Sequence, residues 1–158
     1  RFIARRLAIL ASEDIGNADP RGIMVAAACW ELVERIGMPE ARITLAQCTT
    51  YLALSPKSNA AYVGIDEALA DVREGRTVAV PVYLKDGNVR KAAEKSAGGV
   101  QGFGKGQGYE YSHGAPGGVS GQDYLGVEKT YYRPTDRGAE KQMQAQLELL
   151  RRARQERQ

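Results

Sequence analysis

The sequence predicts a mainly all-α chain: a helical bundle, then an irregular, extended glycine- and tyrosine-rich appendage, then a C-terminal helix. Three observations carry that prediction. Apolar residues recur at helical spacing through the first 75 positions, interrupted by glycine, proline and capping residues. Ten of the 18 glycines then fall between Gly98 and Gly121, where backbone entropy works against any long helix or strand. Beyond Asp136 the stripe Met143, Leu147, Leu150 restores a helical period. The organisation expected is a bundle core over 1–76, a loop-rich appendage over 77–135 and a helix over 136–158.

Each element has its local reasons. Residues 2–14 place Ile3, Leu7, Leu10 and Ala11 on one helical face. Gly16 then takes the conformation that closes a helix, Asp19 caps the next one, and Pro20 fits its first turn. Residues 20–36 carry two apolar stripes, Ile23-Ala27-Trp30 and Val25-Cys29-Leu32-Ile36, which predict a central helix buried on two sides. Ala26, Ala27 and Ala28 are small enough for a neighbouring helix to come close. Gly37 ends this helix and Pro39 opens the third, which runs to about Leu54. Pro56 breaks the chain, and Ser58 caps a fourth helix ending at Gly75. Short loops between such helices predict antiparallel neighbours in a bundle.

The appendage reads differently. Val78–Tyr83 is extended, and Pro81 confines it to an edge or an unpaired segment. A short helix is expected near Val89–Lys95, followed by extended pieces at Tyr109–His113, Tyr124–Leu125 and Lys129–Arg133.

Charge is informative by place. The net charge is +3, from 22 Lys and Arg against 19 Asp and Glu. Residues 137–158 hold six basic and three acidic side chains, so the body is neutral and the tail basic. A neutral body argues against an autonomous nucleic-acid binder, which carries a clustered basic face. No apolar stretch reaches the roughly 20 residues that span a bilayer, and no basic-then-apolar leader is present. The opening at Arg1, already in helical register, reads as a piece of a longer chain. Cys29 and Cys48 sit in apolar helical settings without ligand-like neighbours, which fits a reducing compartment.

Candidate chemistry is thin. Gly99–Lys105 satisfies seven positions of a phosphate-binding loop, but Gly106 stands where a Ser or Thr should hold magnesium. The polar helical pattern before it also replaces the buried strand such a loop needs. Glu13, Asp14 and Asp19 lack the alternating ligands of a calcium loop, so turn and cap chemistry is the better reading. His113 is the only histidine, which leaves little material for a histidine-based metal site or a Ser-His-Asp relay. No catalytic residue, metal or cofactor is therefore expected within this chain, and an independent enzyme is not expected. Tyr109, Tyr111, Tyr124, Tyr131 and Tyr132 suit either stacking on bases or packing onto the bundle, and sparse neighbouring charge favours packing. Arg151, Arg152 and Arg154, with Arg157, are candidate DNA contacts or a solvated helix end.

Several blocks carry a family resemblance. These are Ser12-Glu13-Asp14-Ile15-Gly16-Asn17-Ala18-Asp19-Pro20, Leu45-Ala46-Gln47, Tyr51-Leu52-Ala53 and Pro56-Lys57-Ser58-Asn59. Val80-Pro81, Gly108-Tyr109-Glu110-Tyr111 and Tyr131-Tyr132-Arg133-Pro134-Thr135-Asp136-Arg137-Gly138 follow in order. Together they resemble the C-terminal region of the replication-associated recombination protein A (RarA/MgsA) family, bacterial AAA+ ATPases related to the Werner helicase-interacting protein. Departures cluster in the appendage: Tyr83, Lys85, Gly114 and Gly126 stand where the family has His, Arg, Asp and Pro.

The resemblance implies a bundle like the collar domain of clamp loaders, serving to hold a homotetramer together. It implies Ser12, Glu13, Asp14, Gly16, Asn17, Asp19, Pro20, Gln47, Pro56, Lys57, Ser58 and Asn59 as structural or interface residues. It implies a parent whose N-terminal module binds ATP and Mg, acts on DNA at stalled forks in replication, recombination and repair, and associates with single-strand-binding protein. The expected location is the cytoplasm, near the nucleoid, with no membrane. The alternative is a DNA-binding accessory module that uses the tyrosines and the arginine-rich tail.

Overall fold

The computed structural model describes residues 1–76, 79–81, 84, 114–122 and 129–156. The chain divides into two compact units, Arg1–Gly75 with Thr130–Gln146, and Arg76–Lys129 with Leu147–Gln158. The expected helix at Val89–Lys95, the Gly99–Lys105 loop, the pieces Tyr109–His113 and Tyr124–Leu125, and Arg157 lie outside the described residues.

The first unit is helical throughout its ordered elements. Helix α1 (Phe2–Leu10) buries Ala4 and Leu7. It widens into a π-type turn at Ala11–Ile15 and tightens into a 3-10 turn at Gly16–Ala18. Gly16 makes the reversal at a positive φ of 50°. Asp19 then caps α2 (Arg21–Ile36): its Oδ1 accepts the Arg21 amide at 3.2 Å. Gly37, with φ 74°, ends that helix as expected. Helix α3 spans Ala41–Leu54 and α4 spans Ala60–Arg73. Ser58 caps α4 as its sequence suggests, since its Oγ accepts the Ala60 amide at 3.2 Å. Helix α5 runs over Glu140–Gln155, starting four residues after the expected start near Asp136. Residues 137–139 are spent on a turn whose amide at Ala139 donates to the Ala18 carbonyl at 2.8 Å.

Helices α1, α2 and α3 pack on one another, whereas α4 packs chiefly on the turns that follow α1. The core cluster is Leu7, Ala11, Ile15, Ala26, Cys29, Cys48 and Leu52. Gly22 faces Ile15 and Leu52, where an added methyl would stand 3.2 Å from the Ile15 side chain. Helix α2 departs from the two-sided burial its stripes predict. Its buried residues are Gly22, Ala26 and Cys29, while Ile23, Leu32, Ile36, Ala27 and Ala28 are exposed. Small residues bring α1 and α3 close on one side, and the other side is exposed among the described residues.

The second unit has a short 3-10 turn at Pro116–Gly118 and the last turns of α5, where Arg152 and Arg154 complement the helix dipole. Residues 79–81 are irregular, and the described residues contain no strand.

Candidate functional site

Two features of the first unit stand out: a buried polar corner and an open apolar groove. The corner gathers three sequence blocks that are far apart in the chain. Its centre is Glu140, whose side chain is fully shielded from solvent. Glu140 Oε2 accepts the Ser58 hydroxyl at 2.6 Å, the Thr135 amide at 2.8 Å and the Thr135 hydroxyl at 2.7 Å. Its Oε1 accepts the Tyr132 hydroxyl at 2.7 Å, and that oxygen in turn accepts Asn17 Nδ2 at 3.1 Å. Burial pushes the Glu140 carboxyl up, but the donors from Ser58, Thr135 and Tyr132 outweigh it and hold the group below its ordinary value. Among the described residues no lysine or arginine pairs with it; neutral donors stabilise the charge.

Backbone contacts close the same corner. The Ser58 amide donates to the Asp14 carbonyl at 2.8 Å. A methyl on Gly16 would stand 2.7 Å from the Ser58 carbonyl oxygen. A methyl on Gly138, where φ is 52°, would overlap the Ala18 carbonyl oxygen and stand 2.7 Å from Pro56 Cγ. Lys57 turns its ammonium onto the end of α3, donating to the carbonyls of Leu52 at 2.9 Å, Ala53 at 3.2 Å and Ser55. Arg137 reaches the Lys57 carbonyl at 3.2 Å.

Asp19 forms a second node. Its Oδ2 accepts the Tyr51 hydroxyl at 2.7 Å and the Ser55 hydroxyl at 3.3 Å, while its Oδ1 accepts Arg21 Nε at 3.1 Å. Burial raises this carboxyl, and the bonds from Tyr51 and Arg21 bring it below its ordinary value. The segment ahead of α5 is gripped by α4. Gly64 lets the Tyr131 backbone pass, since an added methyl would stand 3.1 Å from its carbonyl oxygen. Asp71 accepts the Tyr131 hydroxyl at 2.8 Å, and Glu67 pairs with Arg133 at 2.9 Å. These residues recur at i, i+3 and i+7, on one face of α4.

The corner therefore absorbs Gly16, Asn17, Asp19, Lys57 and Ser58 through direct contacts, and Asp14 through its carbonyl. Pro20 precedes α2 and Asn59 precedes α4, both exposed; Pro56 abuts Gly138. Gln47 lies elsewhere, beside a 250 Å³ hollow over Cys29 and Cys48. Burial, reinforced by Cys29, pushes the Cys48 thiol up to about 12, which makes it inert. Arg151 and Arg152 are exposed on α5, and Arg154 is half-buried. Tyr131 and Tyr132 pack and bond within the first unit, while Tyr109, Tyr111, Tyr124 and His113 fall outside the described residues. The residue that sequence reasoning missed is Glu140. No local signal marks it, because its donors Ser58 and Thr135 are brought to it by tertiary packing, Ser58 from 82 residues away.

The groove lies between α1, α2 and α4, with a volume of about 710 Å³. It opens because α4 is held at the corner turns instead of lying flat along α1. Ile9, Ile23, Trp30 and Ile65 give it apolar walls, and Ser12 and Glu13 stand at its rim. Among the described residues no three His, Cys, Asp or Glu side chains are placed to hold a metal, and no helix is long and apolar enough to cross a membrane.

Comparisons with known proteins agree with one another. The model of the family described as MgsA AAA+ ATPase C terminal matches residues 1–151. An AAA domain-containing protein of Mycobacterium tuberculosis is 47% identical over 154 residues, covering 96% of this chain and 32% of that protein. Replication-associated recombination protein A of Bacillus subtilis is 43% identical over 139 residues, 86% of this chain and 31% of its own length. The protein of the same name from Escherichia coli K12 is 41% identical over 143 residues, 88% of this chain and 30% of its own. The chain thus spans about a third of the length of these curated relatives.

Proposed function

The chain belongs to the MgsA AAA+ ATPase C-terminal family, and from that premise we propose that it is the oligomerisation domain of a AAA+ ATPase, holding four copies together. One observation carries this reading. Among the described residues the fully buried apolar set holds only three large side chains, Leu7, Ile15 and Leu52, and the rest are Ala and Cys. Seventeen large apolar residues among the described ones are exposed, fourteen of them within 1–75. Apolar exposure gathered in one region marks an interaction surface, and further copies of the chain are the occupant proposed here.

The parent's task is proposed from its relatives' names as replication-associated recombination; DNA at stalled forks and single-strand-binding protein as associates rest on the family resemblance alone. ATP and Mg belong to the ATPase module elsewhere in the same polypeptide. This chain supplies the frame that places several such modules side by side. Light scattering of the 158-residue chain at tens of micromolar tests the reading. The expected mass is four times the 17.2 kDa of one chain; a monomer across that range sinks it.

The exposed Arg151 and Arg152 favour a second reading, in which the end of α5 touches DNA phosphates. Such binding to a single-stranded oligonucleotide would fall steeply with salt. Absence of an anisotropy change at low salt and 50 µM protein, a concentration chosen to catch the roughly 10⁻⁴–10⁻⁶ M range of non-specific binding, removes it.

A further inference from the structure

The charges of the groove are symmetric about its midpoint. Arg5 and Glu13 are the two charged side chains among the residues lining it. They lie four residues before and four after Ile9, along α1 and the turn that continues it. At a rise of about 1.5 Å per residue along α1, Arg5 stands roughly 6 Å before Ile9, and Glu13 follows Ile9 in the π-type turn. Neither takes part in an ion pair among the described residues. Phe2, 73% exposed, continues the same stripe one turn before Arg5. On either flank Ile23 and Ile65 present exposed apolar surface.

A partner fitted to this wall needs an apolar centre, an anion opposite Arg5 and a cation opposite Glu13. A second copy of the chain run antiparallel has that pattern. Two-fold symmetry places residue i against j and j against i, so a wall with + and − equidistant from an apolar midpoint is its own complement. We propose that the α1 wall of the groove is an isologous contact between two copies of this chain. Helix α1 packs antiparallel on α1 of the second copy, Ile9 meets Ile9 at the axis, and two Arg5–Glu13 pairs close the ends. The groove beside the contact receives the flanking apolar side chains, and Trp30 loses solvent as it fills. This rests on the oligomerisation reading and names one of its surfaces. A closed tetramer with two-fold axes needs a second, different contact, so loss of this one leaves dimers.

The test compares the chain with R5E, E13R and R5E/E13R by light scattering and dilution, with circular dichroism to check folding. Each single reversal sets like charges together twice across the axis and is expected to weaken association at least about tenfold. The double variant restores opposite pairs and the original mass. Separately, I9C oxidised with diamide should give a disulfide-linked dimer on a non-reducing gel. The unsubstituted chain should not, because Cys29 and Cys48 are buried. If the chain is oligomeric but all three charge variants keep its mass and I9C does not cross-link, the proposal is wrong and the oligomer uses another face. The same result is expected if another part of the parent polypeptide fills the groove. If the unsubstituted chain is monomeric, the oligomerisation reading falls with it.

Discussion

The corner around Glu140 and the groove beside α1 lie in the same unit, and both include residues of the Ser12–Pro20 block. They are opposite in kind. In the corner every oxygen of a fully buried carboxylate has a donor, and two glycines let backbones meet where a side chain would not fit. In the groove, large apolar side chains face solvent, and Arg5 and Glu13 have no ion-pair partner among the described residues. Among the described residues the corner's polar groups are partnered, whereas the groove's apolar walls are exposed. A partnered polar node holds the fold, and an exposed apolar wall is where the proposed oligomerisation would act. Substitutions should therefore separate cleanly, those in the corner lowering stability and those in the groove lowering association.

The largest effect is expected at Gly138. Alanine there must adopt a positive φ and push its methyl against the Ala18 carbonyl and Pro56. Strain and overlap together should cost about 4 kcal/mol. Urea unfolding of Gly138→Ala measures it. A loss under about 1 kcal/mol, well below what such strain and overpacking cost, would show that the turn is not held as tightly as the corner requires.

Glu140→Gln comes next, at about 3 kcal/mol, because an amide turns a donor toward hydroxyls and an amide that all need an acceptor. The same carboxylate predicts an acid response. The folded values of Glu140 and Asp19 lie below their ordinary values of 4.5 and 3.8. The unfolded chain therefore binds protons first as pH falls. Their contribution is fully present above the ordinary values and is lost as pH drops through the lower, folded ones. Denaturation midpoints measured from neutral pH downward should decline in that window, and Glu140→Gln should flatten the decline. An equal slope in both proteins would remove Glu140 as its source.

Tyr132→Phe is a smaller cut at the same node. It strips one of four donors from Glu140 and the acceptor from Asn17. Asn17 is half-buried and within reach of water, so the cost should be about 1–2 kcal/mol. Thermal unfolding checks it, and a loss as large as that of Glu140→Gln would mean the other three donors depend on the phenol.

Much of this was legible from sequence. Gly16, Asp19, Gly37 and Ser58 act as their residue types imply, because caps and positive-φ turns are decided within a few residues. The Ser12–Pro20 and Pro56–Asn59 blocks announced something shared, but not that they meet at Glu140, which is 82 residues from Ser58. No local rule forecasts such a pairing. The start of α5 was misplaced for the same reason: residues before Glu140 are drawn into contacts with Ala18 and Lys57. Two-sided burial of α2 was read from apolar periodicity, which reports that a face avoids water without saying which molecule covers it. Ile23, Leu32 and Ile36 are exposed, and on the proposed oligomerisation reading a further copy would cover them.

The smallest stability effect, and the sharpest test of the contrast, belongs to Ile65. It is 55% exposed on the α4 wall of the groove and belongs to no core cluster. Ile65→Gln keeps a good helix former in α4, so unfolding at concentrations where the chain is dissociated should move by no more than about 0.5 kcal/mol. Association should weaken nonetheless, because a polar amide replaces apolar surface that a second copy would bury. Dilution followed by Trp30 fluorescence reads this directly, since Trp30 is the only tryptophan and lines the same groove. A stability loss above 1 kcal/mol, beyond the usual range for a surface substitution, would make Ile65 part of the fold. An unchanged dissociation curve would make the groove wall a surface that no copy covers. Either result breaks the division between a corner that builds the domain and a wall that joins domains together.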